Sequence, residues 1–239
     1  MARTRPADRI DSMIEAAVAT FCEKGYRRTQ MADIARRMGV SPGSLYNYVE
    51  GKEALFYLAL ESGLIEPMEE PPELPIRFRG HEPALKRFKE LTSLTERLPA
   101  LQAALNRERA ADPRAELEDV TRELYTMIYR IRHLITLVEA SFNDLPQLGY
   151  LFVDLRNQLV DRLAHYLELR SKAGQFRALA NPAATARLII ETIGWFARNR
   201  YLDPTHKIDD ETAIATVIDF VVHGLMTAPA AHVTKRAHA

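Results

Sequence analysis

Apolar residues recur at intervals of three and four positions along most of the chain, and this spacing constrains the fold more than any other feature. Near the start it runs through Ile10, Ile14, Ala17 and Phe21, which fall on one face of an α-helix. Alternation of apolar and polar residues between turn residues, the pattern of a strand, is hard to find. The sequence therefore predicts an all-α fold of roughly nine or ten helices.

Composition excludes several classes of protein. The chain has 239 residues, and its 32 Lys and Arg balance 32 Asp and Glu. This balance argues against a polycation that coats nucleic acid, but it allows a local basic patch. The one cysteine, Cys22, excludes an internal disulfide, and we interpret it as a buried small side chain rather than a redox sensor. No apolar run is long enough for a membrane span or a signal peptide, so we expect a cytoplasmic protein with no membrane partner.

Charge and proline divide the chain into segments. Residues 1–52 carry nine basic and six acidic side chains, whereas residues 53–73 contain six glutamates and no basic residue. Five of the 13 prolines lie within residues 67–83, and a helix cannot continue through so many prolines. The predicted segments are a DNA-binding domain over 1–52, a connecting helix over 52–66, a loop or linker over 67–83, an effector-binding and dimerisation domain over 84–226, and a mobile tail over 227–239.

The segment Thr29–Lys52, TQMADIARRMGVSPGSLYNYVEGK, has the pattern of two short helices joined by a tight turn. Thr29 is a candidate N-cap of the first helix, and Gly39 is suited to end that helix because glycine adopts positive φ freely. Ser41 is a candidate cap of the second helix, with Pro42 in its first turn. This order of elements predicts a helix-turn-helix, whose second helix enters the DNA major groove.

The second helix has a composition suited to close contact with DNA. Its exposed positions are small or hydrogen-bonding, namely Gly43, Ser44 and Asn47. Small residues let the backbone approach bases and phosphates. The same stretch offers groups that can contact phosphates, namely the phenols of Tyr46 and Tyr48 and the ammonium of Lys52. A helix that serves only for packing has no use for this set of residues.

Residues 9–60 resemble the DNA-binding domain of TetR/AcrR-type transcriptional regulators. The ordered matches are Phe21, Lys24-Gly25, Thr29, Ile34-Ala35, Gly39-Val40-Ser41, Gly43, Leu45-Tyr46, Tyr48 and Lys52-Glu53. The resemblance implies phosphate contacts from Thr29, Tyr46, Tyr48 and Lys52, and base contacts from the stretch Ser41 to Ser44 and from Asn47. The full expected DNA-binding set is Arg28, Thr29, Gln30, Ser41, Pro42, Gly43, Ser44, Tyr46, Asn47, Tyr48 and Lys52. Two positions depart from the family, since Gln30 replaces a common second threonine and Val49 a common phenylalanine.

For residues 84–226 the resemblance covers only the layout of helices. It implies that helices near 183–201 and 209–226 form a four-helix homodimer interface, although packing within one chain would give the same pattern. Such a dimer fits a near-palindromic operator in double-stranded DNA, with half-sites about 34–36 Å apart. The resemblance also implies a small-molecule effector of unknown identity. The candidate pocket residues are Tyr125, Tyr129, Arg132, Phe142, Phe152 and Trp195, although aromatic residues at helical spacing equally predict core packing.

The sequence thus predicts a homodimeric transcriptional regulator, a repressor that releases its operator when the effector binds. An activator, or a regulator without a small-molecule ligand, fits the same residues. A helical enzyme is the alternative outside DNA binding. The G-x-S-x-G match at Gly39–Gly43 lacks the strand that a nucleophile elbow requires, and no two histidines have the spacing of metal ligands on one helix. We therefore expect no catalytic residues, no metal and no cofactor.

Overall fold

The computed structural model describes residues 6–63, 73–91, 98–203, 205 and 207–226. These residues form eleven α-helices and one short 3-10 helix. The α-helices are α1 (Pro6–Lys24), α2 (Met31–Met38), α3 (Pro42–Leu45), α4 (Lys52–Ser62), α5 (His81–Leu91), α6 (Pro99–Leu105), α7 (Pro113–Arg130), α8 (Arg132–Ala140), α9 (Pro146–Lys172), α10 (Pro182–Ala197) and α11 (Asp210–Leu225), with the 3-10 helix at Asn199–Leu202. Isolated bridges pair Val49 with Ile76 and Phe176 with Met226. The predicted all-α class is confirmed.

The chain packs as two compact units. The first unit comprises residues 1–97 and 127–159, and the second comprises residues 98–126 and 160–239. Residues 127–159 belong to the first unit because α8 packs against α1 and α4. The boundaries of these packing units differ from the predicted domain boundary between residues 83 and 84. A boundary between functional domains at that point stays a prediction. The predicted tail, 227–239, the end of the predicted connecting helix, 64–66, and the first part of the predicted linker, 67–72, lie outside the described residues.

The core of the first unit is built around α4. Every residue of that helix from Ala54 to Leu60 is buried, since α1, α5 and α8 all pack against it. A helix that is apolar on all sides is typical of a core position. The predicted stripe of α1 is buried in the same core, and the Phe21 ring meets Phe56 edge to face with centroids 5.1 Å apart.

Two predicted helices differ from the structure. The spacing of apolar residues predicts one helix over 115–142, but the structure divides it into α7 and α8 at Ile131, whose φ of −92° and ψ of 12° leave the helical region. Neither proline nor glycine marks this break, so the sequence gives no local signal for it. The sequence also predicts a helix over 41–48, but α3 ends at Leu45, because the Tyr48 N–H donates to the Leu45 carbonyl at 2.9 Å and tightens the chain into a turn.

In the second unit a buried arginine of α9 joins three segments. The Arg170 side chain has no exposed surface, and its Nε and Nη2 donate to the two carboxylate oxygens of Glu116 at 2.6 and 3.1 Å. The same guanidinium donates to the carbonyls of Ala104 at 2.7 Å and Arg107 at 2.9 Å. A buried guanidinium requires partners for its donors, so this network fixes α6 and the start of α7 to α9.

A second buried arginine links α10 to α11. Arg200, in the 3-10 helix, donates to the carbonyls of Phe196 at 2.6 Å and Ile208 at 2.7 Å, and it pairs with the Asp210 carboxylate. The Asp209 side chain caps α11 by accepting from the Thr212 N–H at 2.7 Å. Together these bonds set the turn between the last two helices.

We expect two glycines to respond differently to replacement by alanine. Gly25 and Gly39 both have positive φ, 76° and 69°, but a Cβ on Gly25 would lie 2.9 Å from the Ala140 carbonyl oxygen, whereas one on Gly39 meets nothing within 4 Å. Gly39→Ala should lower the free energy of unfolding by about 1–2 kcal/mol, the cost of the left-handed conformation. Gly25→Ala should lower it by roughly 2–4 kcal/mol, because a backbone carbonyl cannot move aside freely. Urea unfolding measures both, and equal losses would contradict the steric argument.

The thiol of Cys22 should react slowly in the native protein. Cys22 is half-buried on α1, and burial raises the pKa of its thiol to about 11. Only the thiolate is nucleophilic. At pH 8 we therefore expect alkylation by iodoacetamide roughly 100-fold slower than in the unfolded chain, where the cysteine pKa is about 8.5. The native rate should rise about tenfold per pH unit until the pH approaches that raised pKa. Mass spectrometry follows the reaction, and equal native and unfolded rates would contradict burial of the thiol.

Candidate nucleic-acid interface

Helices α2 and α3 meet at a turn centred on Gly39. This residue has φ 69° and ψ 29°, and the following Val40 N–H donates to the Ala35 carbonyl at 3.0 Å. These are the features of a helix that ends on a left-handed glycine. Ser41 then has extended backbone, and Pro42 begins α3. The predicted order of helix, glycine turn and second helix is confirmed.

Gln30 rather than Thr29 is the N-cap of α2, so the predicted cap was wrong by one residue. The Gln30 N–H donates to the Asp33 carboxylate at 3.1 Å, in the manner of a capping box. Thr29 is only 1% exposed, and its hydroxyl donates to the Gly25 carbonyl at 2.8 Å. That carbonyl follows the end of α1, where the helix leaves acceptors without partners. The side chain of Thr29 therefore fixes the loop after α1 and lies away from the exposed surface.

The residues expected to contact bases lie on the solvent side of the turn and of α3. Leu45, 1% exposed, anchors the helix in the core, whereas Tyr46 is 51% exposed. Ser44 is half-buried, and its hydroxyl oxygen lies 2.9 Å from that of Ser41. We name this patch the recognition surface, and it consists of Ser41, Pro42, Gly43, Ser44, Tyr46 and Asn47.

Acidic side chains pair with several basic ones near the recognition surface. Lys24 and Arg36 both contact Asp33, at 2.9 and 3.2 Å, and Arg37 pairs with Glu23. Lys24, and then the Gln30 N–H, hold the pKa of the Asp33 carboxyl below its ordinary value. Exposed pairs of this kind contribute little stability, so these cations can exchange their partners for phosphates.

Two of the residues expected to contact phosphates, Lys52 and Arg28, have partners within the protein. The Lys52 ammonium donates to the Tyr26 carbonyl at 3.2 Å and lies 4.5 Å from the centre of the Tyr26 ring. Arg28 is exposed, and its Nε donates to the Lys24 carbonyl at 2.8 Å. Tyr48 is half-buried beside the recognition surface.

A segment beside the recognition surface was missed by the sequence analysis. Residues 73–80, which we name the docked segment, lie in the predicted linker. The Ile76 N–H donates to the Tyr48 carbonyl at 2.8 Å, and the Glu50 N–H donates to the Ile76 carbonyl at 2.9 Å. The Phe78 N–H donates to the Glu50 carboxylate at 3.1 Å. Alternation of apolar and basic residues over 76–79 was the available signal, because it is typical of a half-buried extended chain.

The residues predicted to line an effector pocket are divided between the two units. Tyr129, Arg132, Phe142 and Phe152 belong to the first unit. The Arg132 guanidinium lies 4.2 Å from the centre of the Tyr129 ring, and its Nη1 donates to the Tyr129 carbonyl at 2.8 Å. Phe142 and Phe152 are half-buried. The structure thus brings Tyr129 and Arg132 into direct contact.

The other two predicted pocket residues belong to the second unit. Tyr125 is 4% exposed, and its hydroxyl donates to the Phe196 carbonyl at 3.3 Å, whereas Trp195 is 43% exposed. A cavity of about 320 Å³ in this unit is lined by Asp161, Ala164, His165, Glu168, Asn181, Pro182 and Ala183. None of the six predicted residues lines that cavity.

Helices α10 and α11 present an exposed apolar face. The two helices pack together through buried residues that include Ile189, Ile193, Val217 and Val221. On their solvent side three large apolar side chains remain, Leu188 at 58%, Trp195 at 43% and Phe220 at 58% exposure. We name these three residues the α10–α11 face.

Two features are absent from the described part of the chain. No group of three or more His, Cys, Asp and Glu side chains there is arranged to hold a metal ion. No helix of those residues combines the length and the apolar character that crossing a bilayer requires.

The fold and the recognition surface are those of helix-turn-helix DNA-binding proteins. Residues 13–57 match the sequence profile of the family described as bacterial regulatory proteins, tetR family. The match contains α2, α3 and most of α4, together with the whole recognition surface. Residues 13–57 therefore resemble bacterial regulatory proteins of the tetR family.

Two curated proteins are similar to the same part of the chain. The HTH-type transcriptional repressor KstR2 of Mycolicibacterium smegmatis is 35% identical over 52 residues, which is 22% of this chain and 25% of that protein. The fatty acid metabolism regulator protein of Bacillus subtilis is 36% identical over 61 residues, 24% of this chain and 31% of that protein. The matched stretch thus spans about a quarter to a third of each relative's length.

Solved structures resemble the chain over most of its length at low identity. The ketosteroid transcriptional regulator KstR2 of Mycobacterium tuberculosis has a TM-score of 0.59 at 18% identity, covering 95% of this chain and 98% of that one. AibR, in complex with isovaleryl coenzyme A and operator DNA, has a TM-score of 0.52 at 16% identity, covering 90% and 98%. This likeness shows that the fold is shared.

Proposed function

We propose that the protein is a DNA-binding transcriptional regulator that binds a near-palindromic operator as a homodimer. The recognition surface is the observation that carries this proposal. Its side chains are small or able to form hydrogen bonds, and Leu45 holds α3 in the core behind them. A short helix with such a surface fits the major groove, where base edges present distinct donors and acceptors.

The proposed contacts fall into two kinds. Base contacts come from the stretch Ser41 to Ser44 and from Asn47, whose amide matches the donor and acceptor of an adenine edge. Phosphate contacts come from Arg28, Gln30, Tyr46, Tyr48 and Lys52, and they position the helix without reading sequence. Thr29 supports these contacts from the core rather than making one through its side chain.

The α10–α11 face supports the proposal of a homodimer. Its three large apolar side chains lie on two helices that already pack together. Exposed clusters of this kind mark interaction surfaces, and a two-fold axis places one recognition surface in each half-site of a palindrome. The degree of exposure of Trp195 favours a place in this interface over a place in an effector pocket.

We also propose that a small-molecule effector lowers the affinity for the operator, as in a repressor acting in the cytoplasm. Two similar proteins support this reading, since KstR2 is a transcriptional repressor and AibR has been solved with isovaleryl coenzyme A and operator DNA. Acyl-coenzyme A thioesters are therefore the first compounds to test. In the proposed pocket, which lies within the first unit, Arg132 stacks on Tyr129 and binds the anionic part of the effector, with Phe142 and Phe152 around its apolar part. Tyr125, in the second unit, stays a sequence prediction only.

The direct test is selection of DNA by the wild-type chain. We expect a library of random 30-bp duplexes to yield a palindromic consensus whose affinity falls steeply with salt. Asn47→Ala should then weaken binding by about 1–3 kcal/mol, roughly 5–150-fold, for each half-site and relax specificity at one base pair of each half-site. Tyr46→Phe should weaken binding by a similar factor for every sequence.

The matched control for the amide is Asn157→Ala, at an exposed position of α9. Fluorescence anisotropy with labelled duplex measures all the variants. Failure of the wild-type chain to enrich any sequence, or Asn47→Ala binding as the wild type does, would contradict the proposal.

The dimer is tested by a charge on the α10–α11 face. We expect Leu188→Asp to convert the dimer to a monomer and to weaken operator binding at least tenfold, because a buried unpaired carboxylate is costly. The control is Tyr150→Asp, since Tyr150 is 69% exposed on α9 and lies outside this face. Light scattering after gel filtration gives the mass. A wild-type monomer, or a Leu188→Asp dimer, would overturn this part of the proposal.

A further inference from the structure

The docked segment is fixed firmly to the first unit. Besides its backbone bonds to residues 48–50, it inserts the ring of Phe78 beside α4, where the ring stacks on Tyr57 with centroids 5.3 Å apart. The same ring meets the His81 ring edge-on at 5.1 Å. The Tyr57 hydroxyl is in turn 2.9 Å from His81 Nδ1. These contacts determine which side of the segment faces the protein and which side faces solvent.

The outward side of the docked segment is basic. Ile76 and Phe78 are half-buried, whereas Arg77 and Arg79 between and after them are exposed. Successive side chains of an extended chain point to opposite sides, so the two arginines face away from the core together. Neither forms an ion pair with another described residue.

The position of these arginines along the chain is also informative. No basic residue occurs between Lys52 and Arg77, and six glutamates lie in that interval. The next basic residues, Arg77 and Arg79, lie in the docked segment, whose backbone pairs with residues 48–50. Those residues directly follow Asn47, the last residue of the recognition surface. The Glu50 carboxylate accepts the Phe78 N–H, which ties this side chain to the docked segment.

We propose that the docked segment is a second DNA-binding element, in which Arg77 and Arg79 bind backbone phosphates beside the bases contacted by the recognition surface. Guanidinium groups suit this role because they form charge-assisted, bidentate bonds with phosphate. The proposal rests on the proposed DNA-binding function and adds contacts outside the helix-turn-helix. In this proposal the two arginines increase the affinity for DNA and fix the position of the protein along it. The bases are contacted by the recognition surface.

The test compares the salt dependence of binding for the full-length chain and for Arg77→Gln/Arg79→Gln, using the duplex selected by the wild-type chain. Each lost phosphate contact should reduce the slope of log affinity against log salt by about 0.9. The double variant loses two contacts in each protomer of the proposed dimer, so its slope should fall by about 3.6. If the affinities converge near 1 M salt, this corresponds to roughly 4,000-fold weaker binding at about 0.1 M. The preference for the selected duplex over a scrambled one should change little.

Two matched variants identify the cause of any loss. Arg122→Gln/Lys207→Gln removes the same charge from exposed positions of the second unit, and its slope should match that of the wild type. Arg77→Lys/Arg79→Lys keeps both charges and should restore the slope. Thermal unfolding followed by circular dichroism should show the same midpoint for all variants, since the substituted side chains are exposed.

The outcomes separate this proposal from the proposed function. A wild-type chain that selects no DNA would refute the function itself. A wild-type chain that binds with an unchanged slope in Arg77→Gln/Arg79→Gln would refute only the role of the docked segment. An equal loss of slope in Arg122→Gln/Lys207→Gln would also refute it, because net charge rather than position would then explain the effect.

Discussion

The burial of α4 on all sides is the constraint on which the rest of the first unit depends. A buried helix has no solvent face, so it fixes every element that surrounds it. At its start Lys52 bonds to the Tyr26 carbonyl and thus to the loop before α2. In its middle Tyr57 contacts Phe78 of the docked segment. At its end a Cβ on Gly63 would lie 2.9 Å from the Leu134 Cβ, so α8 packs there as closely as glycine allows.

This arrangement has a consequence for control of DNA binding. Helix α3, which carries part of the recognition surface, and the docked segment both form backbone hydrogen bonds with residues 48–50, the turn that leads into α4. A displacement of α4 relative to α1 therefore changes the positions of both elements at once. An effector needs only different affinities for two positions of this helix to change operator affinity. No contact between effector and DNA is required for that coupling.

Local patterns in the sequence predicted the local features of the structure. The stripe of α1, the left-handed Gly39 and Pro42 at the start of α3 depend on neighbours in the chain, so spacing and residue type were sufficient. The cap of α2 was misplaced because the Thr29 hydroxyl bonds to Gly25 in the preceding loop. The docked segment depends on pairing across more than twenty residues, which periodicity does not report. The pocket stays a prediction because aromatic side chains in a core and around a ligand share one pattern.

Under the proposed function, the distribution of charge explains how a chain with no net charge discriminates between DNA sequences. Binding through phosphates alone is insensitive to sequence and grows with every unpaired cation. Lys24, Arg36 and Arg37 have acidic partners within the protein, so each phosphate contact they make displaces an existing one. On non-specific DNA, replacing an acidic partner by a phosphate contributes little free energy of binding. On the proposed operator, base contacts from the recognition surface add free energy that non-specific DNA cannot supply. The internal ion pairs lower the affinity for both kinds of DNA, so tight binding depends on the base contacts and non-specific DNA is bound weakly.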